Sequence, residues 1–277
     1  MNRAAQVAEV ASTARRTRLY EEVKTLVSQL ATLEQVSRSI SPNQDTGSGS
    51  RYRRLVESLA ATIDAIDPCT QGHSRRVTAN ALAVGAMTGL DEEQLRALEV
   101  AACLHDIGKV GVPDDILLKN GPLTAEERQA IQQHPAIGAA ILAPVGFDPA
   151  VVIGVLAHHE RVDGLGYPNG TMGEAIPLAA RVLCVADSFD AMVSVRSYWV
   201  GLSVQAAVQE LEDKSGSQFD SVVVASFKAT LRAGKIVLPC GVPSPRRGGR
   251  LDGHSPATED DPRQPQSSPD RDCLTAT

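Results

Sequence analysis

The sequence is poor in aromatic residues and has no excess of basic charge. Phe, Trp and Tyr make up 3% of the 277 residues, although hydrophobic residues make up 43%. The core must then be built mainly from Leu, Val, Ile and Ala, which suits packed helices better than a sheet sandwich. The formal net charge of −6 argues against a general nucleic-acid binder, because such proteins usually carry a basic excess. We expect no DNA partner.

The sequence also lacks C-x-x-C pairs, a signal peptide and a membrane span. Its five cysteines are scattered, which is typical of free thiols in a reducing compartment. The first residues lack the long apolar region of a signal peptide, and the longest apolar stretch, residues 150–157, is too short to span a bilayer. We expect a cytoplasmic protein without a membrane partner.

The two ends of the chain differ from its middle. Residues 1–50 predict a helix and then a linker, because residues 39–51 are rich in Ser, Gly, Pro and Asn. Apolar residues of this helix recur in a pattern close to a heptad repeat: Leu19, Val23, Leu26, Leu30, Leu33, Val36 and Ile40. The helix could pair with a second copy as a coil and give a homodimer, or fold against its own domain. Residues 233–277 hold seven of the 16 prolines and few apolar residues, which predicts a disordered tail.

Residues 51–232 carry a dense helical pattern and form the predicted domain. Asp91 is a helix cap, and Thr124 with Glu127 has the spacing of a capping box ahead of a helix that runs to about His134. Further helices are predicted at 150–157, 181–193, 203–214 and 220–231. Because no alternating strand pattern of useful length is present, the predicted fold class is all-α.

Imidazole and carboxylate side chains interrupt the apolar runs of this domain in a way that indicates a metal site. Five of the six histidines lie in it: His73, His105, His134, His158 and His159. His105-Asp106 and His158-His159 each follow an apolar run, and Asp187 lies within one. Burying such groups is costly without a partner, and a shared divalent cation would neutralise them together.

The spacing around Asp106 favours one shared centre. If the helix continues through Gly108, His105 and Lys109 lie on one face, and Asp106 is rotated from His105 by about 100°. Adjacent His and Asp side chains would then approach a pair of metals from one turn, with Asp106 bridging them. Each residue alone has a simpler explanation. A single histidine is usually hydrogen-bonded in the core, Asp187 or Asp190 could belong to an exposed acidic face, and Lys109 could be a surface cation.

Six segments carry a family resemblance: GHSRRV (72–77), CLHDIGKVGVPDDILLKNGPLT (103–124), QQHPAIGAAIL (132–142), AHHERVDGLGYPNG (157–170), GEAIPLAARVLCVADSFDAM (173–192) and GSQFD (216–220). In order and separation they are similar to the motifs of the HD-GYP family. Both name-giving motifs, His105-Asp106 and Gly166-Tyr167-Pro168, are intact. Over roughly 58–231 the chain therefore resembles that family.

The resemblance implies an HD-domain helical bundle and a phosphodiesterase that opens cyclic di-GMP to linear pGpG, and sometimes onward to GMP, in bacterial second-messenger signalling. It also implies two divalent ions, with iron or manganese as the expected occupants. One ion would be held by His73, His105, Asp106 and Asp187, and the other by Asp106, His134, His158 and His159. Some relatives bind a third ion through a glutamate at the position of Cys69, so we expect two here.

The loop at residues 163–168 contains two glycines and a proline, which predicts a shaped loop rather than a helix. The resemblance implies that this loop, with Gly166, Tyr167 and Pro168, lines the substrate site. We expect Asp163 to fix it by hydrogen bonds and Tyr167 to offer a base-stacking or packing face. Lys109 would stabilise the phosphate or assist the leaving ribose oxygen.

The segment after the helix of Asp187 departs from the family. Relatives usually carry Arg-Pro-Tyr-Arg-Lys there; this chain keeps Arg196 and Tyr198, but Trp199 and Val200 replace the last two cations. Fewer phosphate-binding cations should weaken substrate binding more than the metal chemistry. Two alternatives therefore stay open. One is an HD-type phosphohydrolase acting on another nucleotide or cyclic dinucleotide, and the other is a non-catalytic module that uses the fold for protein contacts.

Overall fold

The computed structural model describes residues 14, 16–29, 32, 47–65, 72–119, 121–194 and 201–242. These residues form α-helices and 3-10 turns joined by loops, and no strand is assigned among them, which confirms the predicted all-α class. Within the same ranges, no helix combines the length and the apolar character that a bilayer crossing requires.

The helices follow one another through the domain with short connections. We number them in chain order as α1 (Gly47–Asp64), α2 (His73–Met87), α3 (Glu92–Leu104), α4 (Asp114–Leu117), α5 (Ala125–Ile131), α6 (His134–Leu142), α7 (Pro149–Ala157), α8 (Leu178–Val193), α9 (Val204–Asp213) and α10 (Ser221–Arg232). Turns of 3-10 helix lie at Ile107–Gly111, Ala143–Val145 and Gly173–Ala175. Residues 16–29 form a further helical segment ahead of α1.

Capping boxes fix where two of the described helices begin. Asp91 caps α3 and Thr124 caps α5, as the sequence predicts, and the structure shows that each completes a capping box with the residue three positions later. Helix α5 ends at Ile131, earlier than predicted, and His134 begins α6 with Pro135 in its first turn. Proline fits there because the first helical N–H groups have no acceptor within the helix.

Two apolar clusters form the core, and α3 lies between them. The first cluster joins α2, α3, α8, α9 and α10 and includes Leu98 and Phe189. The second joins residues 16–29, α1, α3, α6 and α7 and includes Leu104 and Leu142. Since α3 packs on both sides, its C-terminal end, and with it His105, is carried into the middle of the domain.

The N-terminal helical segment packs against its own domain. Val23 and Val27 are buried in the same apolar cluster as Leu59 of α1. For residues 16–29 the structure thus follows the second of the two predicted arrangements. Leu26 of the predicted seam is 50% exposed, and the seam residues from Leu30 onward lie outside the described residues.

Packing extends the domain beyond both boundaries that composition suggests. Helix α1 begins at Gly47, so the end of the predicted linker 39–51 is helical. At the other end, the Val237 N–H donates to Oδ1 of Asn80 at 2.7 Å, and Nδ2 of Asn80 donates to the Val237 carbonyl at 3.0 Å. The neighbouring Leu238 packs on the first core cluster. The ordered chain therefore continues past 232, and the rest of the predicted tail, residues 243–277, lies outside the described residues.

Candidate metal centre

Three of the predicted histidines share one local structure at helix ends. In each, Nδ1 lies close to the carbonyl oxygen three residues earlier: Ala102 for His105 at 2.8 Å, Ile131 for His134 at 2.8 Å and Val155 for His158 at 2.6 Å. A carbonyl oxygen can only accept, so Nδ1 donates, and in a neutral ring Nε2 keeps its lone pair. The backbone of each helix end thus leaves Nε2 available as a metal ligand.

The ligating atoms form two groups of three buried residues. Within each group the atoms lie within 4.8 Å of one another; the first group is His73, His105 and Asp187, and the second is His134, His158 and His159. The groups adjoin, since the ring centroids of His105 and His158 are 5.2 Å apart. Both groups could hold a metal ion, and the sequence predicted all six residues.

Asp106 lies between the two groups. Its Oδ1 is 3.4 Å from Nε2 of His134 in the second group, and its Oδ2 is 3.5 Å from Nε2 of His105 in the first. The two oxygens of one buried carboxylate therefore face different groups. This arrangement suits the bridging position that was expected of Asp106.

The turn after α3 differs from the prediction. Helix α3 ends at Leu104, and Ile107–Gly111 forms a 3-10 turn, so His105 and Lys109 do not share an α-helical face. Lys109 nevertheless reaches the centre, with Nζ 3.0 Å from Oδ2 of Asp106. It is only 3% exposed, so the explanation of Lys109 as a surface cation is wrong.

Two glycines permit the backbone approaches that assemble the centre. A Cβ at Gly108 would stand 1.9 Å from the carbonyl oxygen of His134, and one at Gly166 would stand 2.6 Å from that of His159. Real Cβ atoms do not come this close to backbone. Only glycine therefore lets α6 pack on the turn after α3, and lets the Gly166 loop lie against the chain that follows α7.

Burial keeps the second histidine group neutral. Burial, assisted by the neighbouring His159, lowers the pKa of His134 to about 3 and that of His158 well below its usual value. Burial also lowers the pKa of His159 to about 4. The Nε2 atoms of His134 and His158 lie 3.2 Å apart, and both carry lone pairs. Two facing lone pairs repel unless a cation lies beside them, which fits a metal ion.

Unsatisfied polar atoms point to the same conclusion. Among the described residues, His105 Nε2, His159 Nε2 and Asp187 Oδ1 are buried without a hydrogen-bond partner. Asp187 Oδ1 lies 3.1 Å from Nε2 of His73, which is ion-pair distance without hydrogen-bond geometry. Leaving buried polar atoms unpaired costs free energy, and metal ligation would satisfy all three. These residues fit a metal.

A carboxylate that was not among the predicted site residues holds His73. Nδ1 of His73 lies 2.8 Å from Oδ2 of Asp190, and Arg76 donates to both Asp190 oxygens at 2.7 and 2.9 Å. Burial would lower the pKa of His73, but the neighbouring carboxylates of Asp187 and Asp190 raise it to about 10. Both carboxylates are buried, so the explanation of an exposed acidic face is wrong. The sequence signal that could have indicated Asp190 is its position in the same apolar stretch as Asp187, three residues later.

The loop that carries Tyr167 lies against the second histidine group. Oδ1 of Asp163 accepts the Leu165 N–H at 3.0 Å, and Arg161 donates to both Asp163 oxygens. The Tyr167 ring stacks on the His159 ring, with centroids 4.8 Å apart, and the Tyr167–Pro168 peptide bond is cis. One face of Tyr167 is thus used for packing. Arg196, Tyr198, Trp199, Val200 and Cys69 lie outside the described residues.

Comparison with known proteins matches this helical domain. The sequence profile of the HD domain matches residues 57–223. A cyclic di-GMP phosphodiesterase response regulator of Xanthomonas campestris is 42% identical over 172 residues, which cover 61% of this chain and 46% of that protein. A cyclic di-GMP phosphodiesterase of Thermotoga maritima is 42% identical over 176 residues, which cover 62% of this chain and 48% of that protein. The chain thus spans less than half the length of these relatives.

Solved structures share the fold. The crystal structure of a cyclic GMP-AMP-specific phosphodiesterase of Vibrio cholerae superposes with a TM-score of 0.54 at 22% sequence identity, covering 66% of this chain and 49% of that one. At this identity the likeness concerns the helical architecture. It agrees with the arrangement of helices that brings the histidines together.

Proposed function

The chain belongs to the HD domain family, and from this membership we propose that it is a metal-dependent phosphodiesterase that hydrolyses cyclic di-GMP to linear pGpG, with GMP as a further product. The observation that carries the proposal is that the Nε2 atoms of His134 and His158 face each other beside Asp106. One oxygen of Asp106 lies near each of the two histidine groups. Buried imidazoles and carboxylates in this arrangement suit a binuclear hydrolytic centre.

We propose two divalent ions, with iron or manganese as the occupants. The first would be held by His73, His105, Asp106 and Asp187, and the second by Asp106, His134, His158 and His159. The chemistry that two such ions supply when bound is activation of water for attack and stabilisation of negative charge on the phosphate. The imidazole nitrogens favour a first-row transition metal over magnesium or calcium.

Lys109 and Asp106 would act together on the scissile phosphate. The ammonium group of Lys109 is buried and already directed at the centre by Asp106. A positive charge held there would bind a phosphate oxygen and counter the charge that develops during hydrolysis, or assist the leaving ribose oxygen. Little reorganisation is needed because the side chain is held in place before substrate arrives.

The substrate would bind along the loop that carries Asp163, Gly166, Tyr167 and Pro168, with Arg196 as a phosphate ligand. Support for the loop comes from its packing on His159. The contribution of Arg196 rests on the sequence, where it keeps a basic position of the family. Cyclic di-GMP carries two phosphates, and a loop beside a metal pair would bind one of them while the metals hold the other.

Metal analysis and turnover on one sample test this function. Protein purified anaerobically should hold about two ions per chain and convert cyclic di-GMP to pGpG. Asp106→Ala should lose turnover and most of the metal while keeping its helical circular dichroism. The control is Asp213→Ala, at an exposed position at the end of α9. Metal without turnover on any cyclic dinucleotide would disprove the activity, and wild-type turnover by Asp106→Ala would disprove the site.

A different cyclic dinucleotide is the second candidate substrate. Trp199 and Val200 stand where the family resemblance implies cations, so the phosphate contacts of this chain would differ from those that the resemblance implies. Chromatography of products from cyclic di-GMP, cyclic GMP-AMP and cyclic di-AMP, assayed in parallel, separates these substrates. Turnover of any of them rejects the non-catalytic alternative.

The partner predicted for the N-terminal helix is a second copy of the chain. Val23 and Val27 pack within their own domain, so a homodimer would use the side of the helix next to them, where Leu26 is half exposed. Light scattering on the full chain decides whether this dimer forms. A cytoplasmic location stays a prediction from the sequence.

A further inference from the structure

Glu160 follows directly after His158 and His159, yet its carboxylate binds backbone instead of joining the histidine group. It is 2% exposed. Oε1 accepts the N–H of Asn169 at 2.8 Å, and Oε2 accepts the N–H of Thr171 at 3.0 Å. Each oxygen of a buried carboxylate is thus occupied by an amide from a loop nine to eleven residues later.

These two hydrogen bonds hold the C-terminal end of the loop that contains Tyr167 against Glu160. Nearer the middle of this loop, the Tyr167 N–H donates to the carbonyl oxygen of His159 at 3.2 Å. At the same place, a Cβ on Gly166 would stand 2.6 Å from Cα of Glu160, so the loop and the chain after α7 are in direct contact. Hydrogen bonds and backbone contacts therefore hold the loop against residues 159 and 160 on both sides of the Tyr167–Pro168 peptide bond.

The hydrogen bonds from the loop to His159 and Glu160 determine where the Tyr167 side chain lies. The ring stacks on the ligand His159, and the hydroxyl is buried without a hydrogen-bond partner among the described residues. A phenol hydroxyl in such a place usually finds an acceptor, because leaving it unpaired is costly. An oxygen of a nucleotide held at the second histidine group would supply that acceptor.

We propose that Glu160 is a positioning residue, which holds the loop of Tyr167 against the second histidine group so that the Tyr167 hydroxyl faces the bound nucleotide. The effect on substrate rests on the proposed phosphodiesterase function, whereas the effect on the loop does not. Glu160 acts through hydrogen bonds to Asn169 and Thr171 and touches neither metal nor phosphate.

The nearly isosteric change Glu160→Gln separates this role from others. A glutamine offers one acceptor oxygen and one NH2 donor, so one of the two loop amides would face a second donor. The matched control is Glu174→Gln, at an exposed position in the 3-10 turn that follows the same loop.

Three measurements on the whole chain of 277 residues, loaded with metal, test the proposal. In Glu160→Gln, hydrogen exchange at the Asn169 or Thr171 amide should accelerate by roughly tenfold or more, the loss expected for a hydrogen bond to a charged group. Metal content should stay at the wild-type level. The KM for cyclic di-GMP should rise more than kcat falls, and Tyr167→Phe should shift KM in the same direction. Glu174→Gln should match wild type in every measurement.

Several results would overturn the proposal. Loss of metal in Glu160→Gln would make Glu160 a ligand, and a fall in kcat at constant KM would give it a part in the chemistry. If Glu160→Gln does not fold, exchange in the wild type decides, because unprotected Asn169 and Thr171 amides are incompatible with the contacts. If the wild type hydrolyses no cyclic dinucleotide, the proposed function fails, while metal content and amide exchange still decide the role of Glu160.

Discussion

The Nδ1 atom of His73 lies 2.8 Å from Oδ2 of Asp190, which fixes the ring of a candidate metal ligand from the side opposite the centre. Arg76 in turn binds both oxygens of Asp190. A carboxylate behind a ligand histidine sets its tautomer and orientation, because Nδ1 donates to it and Nε2 is left for the metal. The hydrogen-bonded series Arg76–Asp190–His73 therefore supports the candidate metal centre.

The first prediction concerns Asp190→Asn. The amide cannot accept from both Arg76 and His73 as the carboxylate does, so metal affinity at the group of His73 should fall by about tenfold to a hundredfold. Titration against a chromogenic chelator measures this. The exposed Asp213→Asn serves as control. Unchanged affinity in Asp190→Asn would show that the orientation of His73 does not depend on this carboxylate.

The second prediction concerns Lys109→Met, which keeps the length of the side chain and removes its charge. We expect kcat to fall by about a hundredfold or more, the loss typical of one preorganised donor to developing negative charge. Metal content should change little, because Lys109 contacts Oδ2 of Asp106 and is not itself one of the proposed metal ligands. Steady-state kinetics and elemental analysis of the same sample check both statements. Loss of metal together with activity would assign Lys109 to the assembly of the site.

The third prediction concerns Gly108→Ala. The added Cβ would meet the carbonyl oxygen of His134, so α6 must move away from the turn after α3. Overpacking of this kind costs about 1–3 kcal/mol or more of unfolding free energy. Urea denaturation measures the cost. Gly85→Ala is the control, because the atoms nearest its added Cβ are the ends of leucine side chains. Equal stability of the two variants would contradict the close approach at Gly108.

The candidate histidine ligands could be named from the sequence because they lie in segments that resemble the motifs of the HD-GYP family. The turn after Leu104 could not be predicted, because the α-helix ends where α6 approaches Gly108, and that approach is a tertiary contact. The burial of Asp190 was missed for a similar reason. Two acids three residues apart look alike on a buried and on an exposed helix face until the packing of α8 is known.

The packing of the segment after Gly234 was not predicted, for another physical reason. Composition after Gly234 is polar and predicts disorder, but a reciprocal pair of hydrogen bonds between Asn80 and Val237 ties the segment to α2. Composition describes how much apolar surface a segment can bury. It does not report a single buried amide that binds backbone.

The fourth prediction distinguishes the two arrangements of the N-terminal helix. Val27 is fully buried, so Val27→Ala should lower the unfolding free energy by about 2 kcal/mol through the loss of two buried methyl groups. Leu26→Ala, at a half-exposed position, should cost much less. Denaturation at several protein concentrations checks this. A larger loss in Leu26→Ala that depends on concentration would favour the coil between two copies.

The fifth prediction concerns the pH dependence of stability at Asp220, which caps α10 and forms an ion pair with Arg181 in the first turn of α8. Burial raises the pKa of this carboxyl, but the hydrogen bonds from Arg181 and from the Val223 and Val222 amides outweigh it and hold the pKa below its usual value. A carboxyl with a lowered pKa in the folded state stabilises the protein above the pKa of the unfolded chain, about 3.9. That contribution is lost as the pH falls through the folded value.

Asp220→Asn should therefore lower the unfolding free energy at pH 7, and the difference from wild type should shrink below about pH 4. Asparagine can still accept the amides of α10, so the change reports mainly on the pair with Arg181. Urea denaturation between pH 3 and pH 7 measures the difference, with Asp213→Asn as the exposed control. A difference that stays constant across this range would mean that the charge of Asp220 does not stabilise the fold, because only a titrating contribution disappears in acid.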